Sequence, residues 1–500
     1  MEFLDNLALG LATALSWQNL LYAFTGCLLG TLIGVLPGLG PLATISMLLP
    51  FTFGLTPEGA LIMLAGIYYG AAYGGSTTAI LVNLPGEASS VVTAIDGHHM
   101  ARQGRAGAAL AAAAVGSFFA GCLGVLILAV LAGPIAHLAF RFGPAEYFSL
   151  MVLGLIGAVS LASGPLLKSV GMIVLGLLIG LVGMDVNSGV ARFTFGAPQL
   201  WEGIDFIVIA IGIFAFSEIV GTLERTGNKD TLVAPVRSLW PTREDIRRMT
   251  PAILRGSSLG AIIGVLPGAG LTLASFFAYS LERRVSRRPE EFGRGAIEGV
   301  AGPEAANNAA AQTAFIPTLT LGIPGSATMA LMLGALVVHN IQPGPQVITN
   351  NPSLFWGLVV SMWIGNLFLV ILNLPLIGIW VRLLKIPYHL LFPAILVFCC
   401  IGVYSVSYST FDVFLTAGCG LLGYVFAKLE CEPAPLLLGF ILGPMIEEYF
   451  RRALVLSDGD FSIFVTRPLS LSLLLVAAAF IVLAVLPSLR KKRAIVFAED

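Results

Sequence analysis

Long apolar stretches recur along the whole chain and are separated by short polar loops. An α-helix needs about 20 apolar residues to cross the roughly 30 Å hydrocarbon core of a bilayer, and many of these stretches reach that length. The pattern therefore predicts an all-α polytopic membrane protein with about ten to twelve spanning or re-entrant segments.

The composition also indicates a membrane protein. Apolar residues make up 57% of the chain and charged residues 11%, with a mean hydropathy of +0.91, whereas soluble domains average about half apolar and a quarter charged. The net charge is −1 and the basic residues are spread over short loops, so we expect the lipid bilayer, and no nucleic acid, as a partner. The six cysteines show no metal-binding spacing and are expected to be packing residues.

The longest polar interruption covers residues 224–255 and divides the chain into a first membrane repeat, 1–223, and a second, 256–500, with additional C-terminal helices. Thr242 precedes Glu244 and Asp245, which is the pattern of a capped helix start. The linker is therefore predicted to form a short amphipathic helix on the cytoplasmic surface.

Each half contains two Pro-Gly pairs that interrupt apolar stretches. Gly30-Thr-Leu-Ile-Gly-Val-Leu-Pro-Gly-Leu-Gly40 returns as Gly260-Ala-Ile-Ile-Gly-Val-Leu-Pro-Gly-Ala-Gly270, and Asn83-Leu-Pro-Gly86 returns as Gly322-Ile-Pro-Gly325. Proline removes a backbone donor and glycine accepts positive φ, so helices stop at such pairs. The chain is predicted to be a duplication with matched discontinuous helices.

Basic residues fall in non-equivalent loops of the two halves. Between the breaks, residues 51–59 contain no Lys or Arg, whereas the matching second-half loop reads Arg283-Arg284-Val-Ser-Arg287-Arg288. After the second break the bias reverses, since His98-His99-Met-Ala-Arg102-Gln-Gly-Arg105 matches a loop without Lys or Arg. Because cytoplasmic loops carry the excess of Lys and Arg, two inverted-topology repeats are predicted. A parallel duplication whose loop charges have drifted is the alternative.

Interrupted helices in corresponding positions of two halves are typical of transporter binding sites, where helix N-termini face anions and unwound carbonyls hold cations. Kinks relieved by neighbouring helices are the alternative. The predicted substrate- and ion-binding residues are Pro37, Gly38, Gly40, Thr44, Asn83, Pro85, Gly86, Pro267, Gly268, Gly270, Asn307, Asn308, Pro324, Gly325 and Ser326. Candidate sodium ligands among them are Gly38, Asn83, Gly268 and Asn308.

Asn307 and Asn308 align with Tyr68 and Tyr69 when the halves are matched at the second break. Their amides can ligate sodium or a substrate oxygen, or can serve as hydrogen-bonding contacts between helices. Ionisable groups at membrane depth are functional candidates by default, and here these are Glu87, Asp96, Glu298 and Glu304. The chain has no Walker sequence and no His-Glu-x-x-His, so neither ATP-driven transport nor zinc proteolysis is indicated.

The segments Gly30-Thr-Leu-Ile-Gly-Val-Leu-Pro-Gly-Leu-Gly-Pro, Tyr68-Tyr-Gly-Ala-Ala-Tyr-Gly-Gly-Ser-Thr-Thr and Gly302-Pro-Glu-Ala-Ala-Asn-Asn-Ala closely resemble the large membrane subunit, or permease, of tripartite tricarboxylate transporters. The resemblance extends over essentially the whole chain. It implies a multi-pass protein of the bacterial inner membrane that imports citrate-like and other carboxylates. It also implies two partners, a small membrane subunit and a periplasmic substrate-binding protein.

The function hypothesis is a secondary active importer of carboxylates, coupled to Na⁺ or H⁺ and without other cofactors or enzyme activity. One alternative is a multispan enzyme of the lipid-transferase type that uses Glu87, Asp96, His98 and His99 as acid-base groups. A second is an anion channel, because paired broken helices also build pores.

Overall fold

A computed structural model describes residues 2–36, 40–84, 87, 89–139, 141–161, 165–185, 188–225, 236, 239–266, 270–384 and 388–485. The helices of the first half are α1 Glu2–Ala14, α2 Trp17–Gly34, α3 Pro41–Thr52, α4 Pro57–Val82, α5 Ser90–Met100, α6 Ala106–Ala139, α7 Pro144–Leu161, α8 Leu166–Gly180, α9 Phe206–Ala210 and α10 Ser217–Arg225. A two-stranded antiparallel hairpin, β1 Gly183–Met184 and β2 Ala191–Arg192, follows α8.

The helices of the second half continue the all-α arrangement. They are α11 Arg243–Gly264, α12 Gly270–Val285, α13 Glu298–Thr313, α14 Phe315–Leu321, α15 Ala327–Val338, α16 Val347–Asn350, α17 Pro352–Asn373, α18 Ile377–Leu383, α19 Tyr388–Ser407, α20 Thr410–Lys428, α21 Ala434–Leu456, α22 Ile463–Thr466 and α23 Pro468–Val485.

Within the described residues, three helical runs are long and apolar enough to cross a bilayer, namely Ser90–Ile135, Pro352–Asn373 and Thr410–Lys428. The pair Phe3–Ala14 and Trp17–Gly34, bent by 74°, makes a fourth if it counts as one span. Shorter apolar helices of 10–17 residues include Pro41–Thr52, Leu166–Gly180 and Ala327–Val338. The all-α membrane class is thus confirmed, while the number of ten to twelve segments stays a prediction.

Two helices occupy the centre of the molecule. In α4 every residue from Gly59 to Val82 is buried, and in α13 every residue from Glu298 to Thr313 is buried. The burial of α13 is unusual because this helix carries two glutamates, two asparagines and a glutamine among its alanines. Charged side chains are almost never fully buried without partners, so the surroundings of α13 must satisfy them.

Glycines bring α2 against α4 in the first half. They recur every four residues at Gly26, Gly30 and Gly34, and thus line one face of α2. A Cβ at Gly30 would lie 2.3 Å from the backbone oxygen of Ile67, which is closer than atoms can approach. Only glycine permits this spacing between the two backbones.

The second half repeats this packing with different residues. Gly256, Gly260 and Gly264 line one face of α11, and a Cβ at Gly260 would lie 2.1 Å from the backbone oxygen of Ala306 on α13. The α2–α4 pair therefore corresponds to the α11–α13 pair. The partners also correspond, because Ile67 and Ala306 occupy matching positions when the halves are aligned at the second break.

The helices end near the predicted breaks. The first break of each half lies between α2 and α3 and between α11 and α12, and the second lies between α4 and α5 and between α14 and α15. Whether these pairs are interrupted transmembrane helices in two inverted repeats stays a prediction.

The start of α11 has the predicted cap but a different extent. Thr242 Oγ1 accepts a hydrogen bond from the Asp245 backbone at 3.1 Å, and Asp245 Oδ2 accepts one from the Thr242 backbone at 3.0 Å. The helix does not stop within the linker, however, and continues without interruption to Gly264. The predicted separate amphipathic helix is therefore the first part of α11, because no residue between the cap and Gly264 ends the helix.

Loops of one half contact loops of the other. Gln103 in the first half donates a hydrogen bond to the backbone oxygen of Arg294 at 2.8 Å. Elsewhere, His339 in the second half lies near enough to Glu58 of the first half to be influenced by its charge. The loop after the second break of each half thus lies beside the loop between the breaks of the other half.

Candidate substrate and ion site

Several predicted residues lie outside the described part of the chain, namely Pro37, Gly38, Pro85, Gly86, Pro267 and Gly268. Gly40 is extended and precedes α3, and Thr44 Oγ1 donates a hydrogen bond back to its carbonyl oxygen at 2.9 Å. In the second half, Gly270 begins α12 with a positive φ of 65°. The two halves thus resume their helices after the first break with different local geometry.

The second breaks of the two halves begin at matching residues with similar backbone angles. Asn83 ends α4 with φ 56° and ψ 36°, and Gly322 ends α14 with φ 67° and ψ 20°. Pro324 and Gly325 then lead to Ser326, whose Oγ accepts a hydrogen bond from the backbone of Met329 at 3.2 Å and caps α15. The end of α4 and the start of α15 therefore both present backbone groups at a break.

Asn308 joins α13 to α6 of the first half. Its Nδ2 donates to Ser117 Oγ at 2.7 Å and to the backbone oxygen of Glu304 at 3.1 Å. Ser117 Oγ in turn lies 3.4 Å from Glu304 Oε2. Asn308 therefore holds one side of a polar cluster centred on Glu304.

The Glu304 carboxylate is 1% exposed and accepts hydrogen bonds from three hydroxyls of the first half. Ser76 of α4 donates to Oε1 at 2.9 Å and to Oε2 at 3.0 Å, and Thr93 of α5 donates to Oε1 at 2.5 Å. Ser117 of α6 is the third donor. Three helices of one half thus meet a single carboxylate of the other, and no basic side chain pairs with it within the described residues.

Asn307, on the next position of α13, belongs to a second polar cluster. Its Nδ2 donates to Glu87 Oε1 at 3.2 Å, and Ser89 Oγ donates to the same oxygen at 2.6 Å. The Oδ1 of Asn307 and the hydroxyl of Tyr68 are buried without a hydrogen-bond partner among the described residues. Buried polar atoms without partners are rare in proteins and point to a bound ion, water or ligand.

The two clusters are close enough for the Glu87 and Glu304 carboxylates to repel each other when both are ionised. Beside Glu304 lies a small cavity of about 20 Å³, which has room for a particle the size of a water molecule. Its polar lining comes from Tyr73, Ser76, Thr77, Ser117, Glu304 and Asn373, and its apolar lining from Ile80, Leu110, Ala113, Ala114, Leu374 and Ile377. The cavity therefore lies between α4, α6, α13 and the end of α17.

Other candidate residues do not form a reactive site. Asp96 Oδ1 accepts three backbone N–H groups from Gly293, Gly295 and Ala296 at 2.8–2.9 Å, and Tyr279 donates to Oδ2. His98 Nδ1 lies 3.2 Å from the Ile80 carbonyl oxygen. Within the described residues, no three His, Cys, Asp or Glu side chains form a metal-binding group. Asp96 thus fixes a loop, and the acid-base cluster that the enzyme alternative needs is not assembled around it.

Charged pairs surround the start of α11, outside the buried clusters. Arg248 pairs with Glu291 at 2.6 Å and with Glu298 at 2.7 Å, and Arg105 pairs with Asp245 at 2.5 Å. Partial burial raises the pKa of Glu291, but hydrogen bonds and charge from Arg248 outweigh this, so its pKa lies below the usual value. Because Glu298 pairs with Arg248, it is an ion-pair residue and not part of the buried clusters.

The sequence analysis identified some residues of the Glu304 and Glu87 clusters and missed others. Asn307 and Asn308 stand out as adjacent amides in an alanine-rich helix. Thr93, Ser117 and Asn373 were missed because single polar residues in apolar helices are common, and only the packing of α5, α6 and α17 brings these three toward α13. Glu304 was named as an ionisable candidate, but its hydroxyl donors Thr93 and Ser117 were not.

A helical membrane protein in which two matching helix pairs enclose buried polar clusters has the features of a transporter. Residues 20–438 match the family described as Tripartite tricarboxylate transporter TctA family. The chain belongs to this family, whose members are the large subunit of the tripartite tricarboxylate transporter. It is a family of transporters and not of enzymes, as expected.

Two relatives come from Agrobacterium vitis. One, named an uncharacterized 52.8 kDa protein in the TAR-I ttuC' 3' region, is 59% identical over 500 residues, which cover 100% of both chains. The other, named an uncharacterized protein in the TAR-II ttuC' 3' region, is 60% identical over 241 residues, which are 48% of this chain and 100% of that relative. No solved structure matches the chain.

Proposed function

We propose that this chain is the translocating subunit of a cation-coupled importer of small carboxylates in the bacterial inner membrane. It would work with a small membrane subunit and a periplasmic substrate-binding protein, as membership of a tripartite family suggests. The observation that carries the proposal is that Asn307 and Asn308 join the two halves. Asn308 belongs to the buried Glu304 cluster, and Asn307 donates to the partly buried Glu87.

The two halves are proposed to be inverted repeats. This is supported by the contact of Gln103 with Arg294, because both loops carry basic residues and both would be cytoplasmic. It is also supported by the interaction of His339 with Glu58, because neither of their loops contains Lys or Arg. Inversion would let the site open alternately to the two sides of the membrane.

The substrate carboxylate is proposed to bind where helices restart after the breaks, at the N-terminal ends of α3 and α15. Free backbone N–H groups and the helix dipole favour an anion there. Gly40, Thr44, Pro324, Gly325 and Ser326 belong to these starts. The sodium ligands expected at Asn83 and Asn308 lie at the end of α4 and in the Glu304 cluster.

The test is uptake of labelled citrate and other small carboxylates into proteoliposomes that contain this chain and its small membrane subunit, with and without the binding protein. An inward sodium gradient, an inward proton gradient and no gradient are compared. We expect accumulation that requires a cation gradient and the binding protein. Non-saturable uptake that never exceeds equilibrium would favour the channel alternative and contradict the proposal.

A matched pair of variants tests the site in the same assay. Asn308→Ala removes the hydrogen bonds to Ser117 and to the Glu304 backbone and is expected to weaken cation-dependent uptake about tenfold, the effect of roughly 1.4 kcal/mol. Asn350→Ala, in the outer loop helix α16, is the control. Unchanged cation dependence in Asn308→Ala would remove this residue from the site.

A further inference from the structure

We propose that a sodium ion binds in the cavity beside Glu304, with the Glu304 carboxylate as its charged ligand. This inference deepens the cation coupling of the proposed function and rests on it. The carboxylate is 1% exposed, and its partners in the described residues are neutral hydroxyls and one repelling carboxylate, Glu87. A buried carboxylate with no positive partner favours binding of a cation or a proton.

The atoms around the cavity suit a hard cation. Besides Glu304, Ser76 and Ser117 line the same cavity. The Ser76 hydroxyl keeps its lone pairs free while it donates to Glu304, and the Ser117 hydroxyl, which also accepts from Asn308, keeps one. Hard cations are bound by carboxylate, hydroxyl and amide oxygens. The Tyr73 side chain completes the polar wall on α4.

Asn373 supplies an independent indication of a ligand. It lies at the end of α17, is 4% exposed and lines the cavity. Its Nδ2 donates to the Leu369 carbonyl oxygen at 2.9 Å, and its Oδ1 is buried without a hydrogen-bond partner in the described part of the chain. A buried amide oxygen without a partner is a ready ligand for a cation and is of no use to a carboxylate substrate.

The charge of the site favours a monovalent ion. One carboxylate among neutral oxygens balances a single positive charge, whereas Ca²⁺ and Mg²⁺ sites generally use more than one carboxylate. Glu87 belongs to a separate cluster with Asn307 and Ser89. Neutralising Glu304 would also relieve its repulsion with Glu87.

This position explains how the ion would act on both halves. Ser76, Thr93 and Ser117 belong to three helices of the first half, and Glu304 belongs to α13 of the second. An ion that binds only when these helices are together stabilises that arrangement by its differential affinity. The Asn307 side chain, on the adjacent position of α13, reaches the second break of the first half through Glu87.

The experiment measures thermal unfolding of the purified full-length chain in detergent as sodium replaces choline at constant ionic strength, together with direct binding of radioactive sodium. A ligand that binds only the folded state raises the unfolding midpoint with the logarithm of its concentration. We expect this rise in the unmodified chain and a loss of at least a hundredfold in sodium affinity in Glu304→Gln. Asn373→Ala is expected to lose about tenfold, and Glu290→Gln, an exposed carboxylate, is the matched control.

Sodium stabilisation that survives in both Glu304→Gln and Asn373→Ala would overturn the site. Stabilisation by low pH but not by sodium, lost in Glu304→Gln, would overturn the sodium assignment and make Glu304 a proton site. If Glu304→Gln does not fold, Asn373→Ala decides alone. Sodium binding at Glu304 without carboxylate uptake in proteoliposomes would instead contradict the proposed function and leave the ion site intact.

Discussion

Asn83 and Gly322 end α4 and α14 with left-handed backbone dihedrals, at matching positions of the two halves. Glycine adopts this conformation without strain and asparagine tolerates it, whereas other residues lose about 1–2 kcal/mol. A Cβ at Gly322 would find its nearest neighbour, the Pro343 oxygen, at 3.5 Å, which is an ordinary contact. The requirement at this residue is therefore for the dihedral angles and not for space.

A pair of substitutions at one residue tests this. Gly322→Asn is expected to keep the thermal stability of the chain, because asparagine already serves at the matching position, while Gly322→Val is expected to lose about 2 kcal/mol. The unfolding midpoint in detergent measures both. Equal losses in the two variants would show that the side chain itself, and not the backbone angle, is harmful there.

At the scale of single residues, the sequence indicated the amides of Asn307 and Asn308 but not the hydroxyl groups that complete the Glu304 cluster. The role of Asn307 and Asn308 as site residues was predictable, because two adjacent amides in an apolar helix need hydrogen-bond partners wherever they are buried. Thr93 could not be assigned, because a lone threonine in α5 can equally bond to its own helix backbone. Only the tertiary packing of α5 against α13 places its hydroxyl 2.5 Å from Glu304.

The helix pairs α2–α4 and α11–α13 depend on contacts between backbones. The glycines that produce these contacts recur at four-residue intervals in the sequence, but the spacing alone does not identify the partner helices. In a membrane such contacts replace the hydrophobic effect as the source of helix association. A single methyl group at the interface must therefore push the two helices apart.

Two glycine-to-alanine substitutions should have opposite effects. Gly260→Ala places a Cβ 2.1 Å from the Ala306 oxygen and is expected to destabilise the chain by about 1–3 kcal/mol. Gly171→Ala in α8 meets nothing within 4 Å, and alanine is favoured over glycine in a helix by about 1 kcal/mol. Thermal unfolding of both variants decides; a stabilised Gly260→Ala protein would mean that α11 and α13 are not in contact there.

The Asp96 carboxylate connects α5 to the loop that precedes α13. Asp96→Asn removes the negative charge that faces three backbone donors and replaces Oδ2, the acceptor of the Tyr279 hydroxyl, with an amide nitrogen, so a loss of about 1–3 kcal/mol is expected. Hydrogen exchange of residues 293–296 measures it and should accelerate. Exchange as slow as in Asp5→Asn, an exposed control on α1, would show that the loop is held by other contacts.

At the scale of the whole molecule, the helix ends beside the four Pro-Gly pairs were predictable, because proline removes a backbone donor and interrupts a helix in an apolar stretch. The Pro-Gly pairs therefore marked the ends of α2, α4, α11 and α14 to within a few residues. The start of α11 was capped as predicted, but its continuation to Gly264 was not foreseen, because its charged turns resembled a separate surface helix.

The orientation of the halves is the remaining prediction, and cysteine labelling from one side of the membrane tests it. The three partly exposed cysteines, Cys122, Cys400 and Cys431, are replaced by serine. One new cysteine is then introduced in each of three variants, Gly54→Cys, Arg102→Cys and Arg287→Cys. A Cβ added at Gly54 would meet no atom within 4 Å, and the two arginines are exposed, so each position tolerates a cysteine and is accessible.

Inverted repeats place residues 102 and 287 together in the cytoplasm and residue 54 outside, although 54 and 287 lie in equivalent loops. We expect a membrane-impermeant thiol reagent added to intact cells to label Gly54→Cys alone, and the other two variants only after permeabilisation. Labelling of Gly54→Cys and Arg287→Cys from the same side would establish a parallel duplication. Because Gln103 contacts Arg294, residues 102 and 287 must share a side in either case, which makes residue 54 decisive.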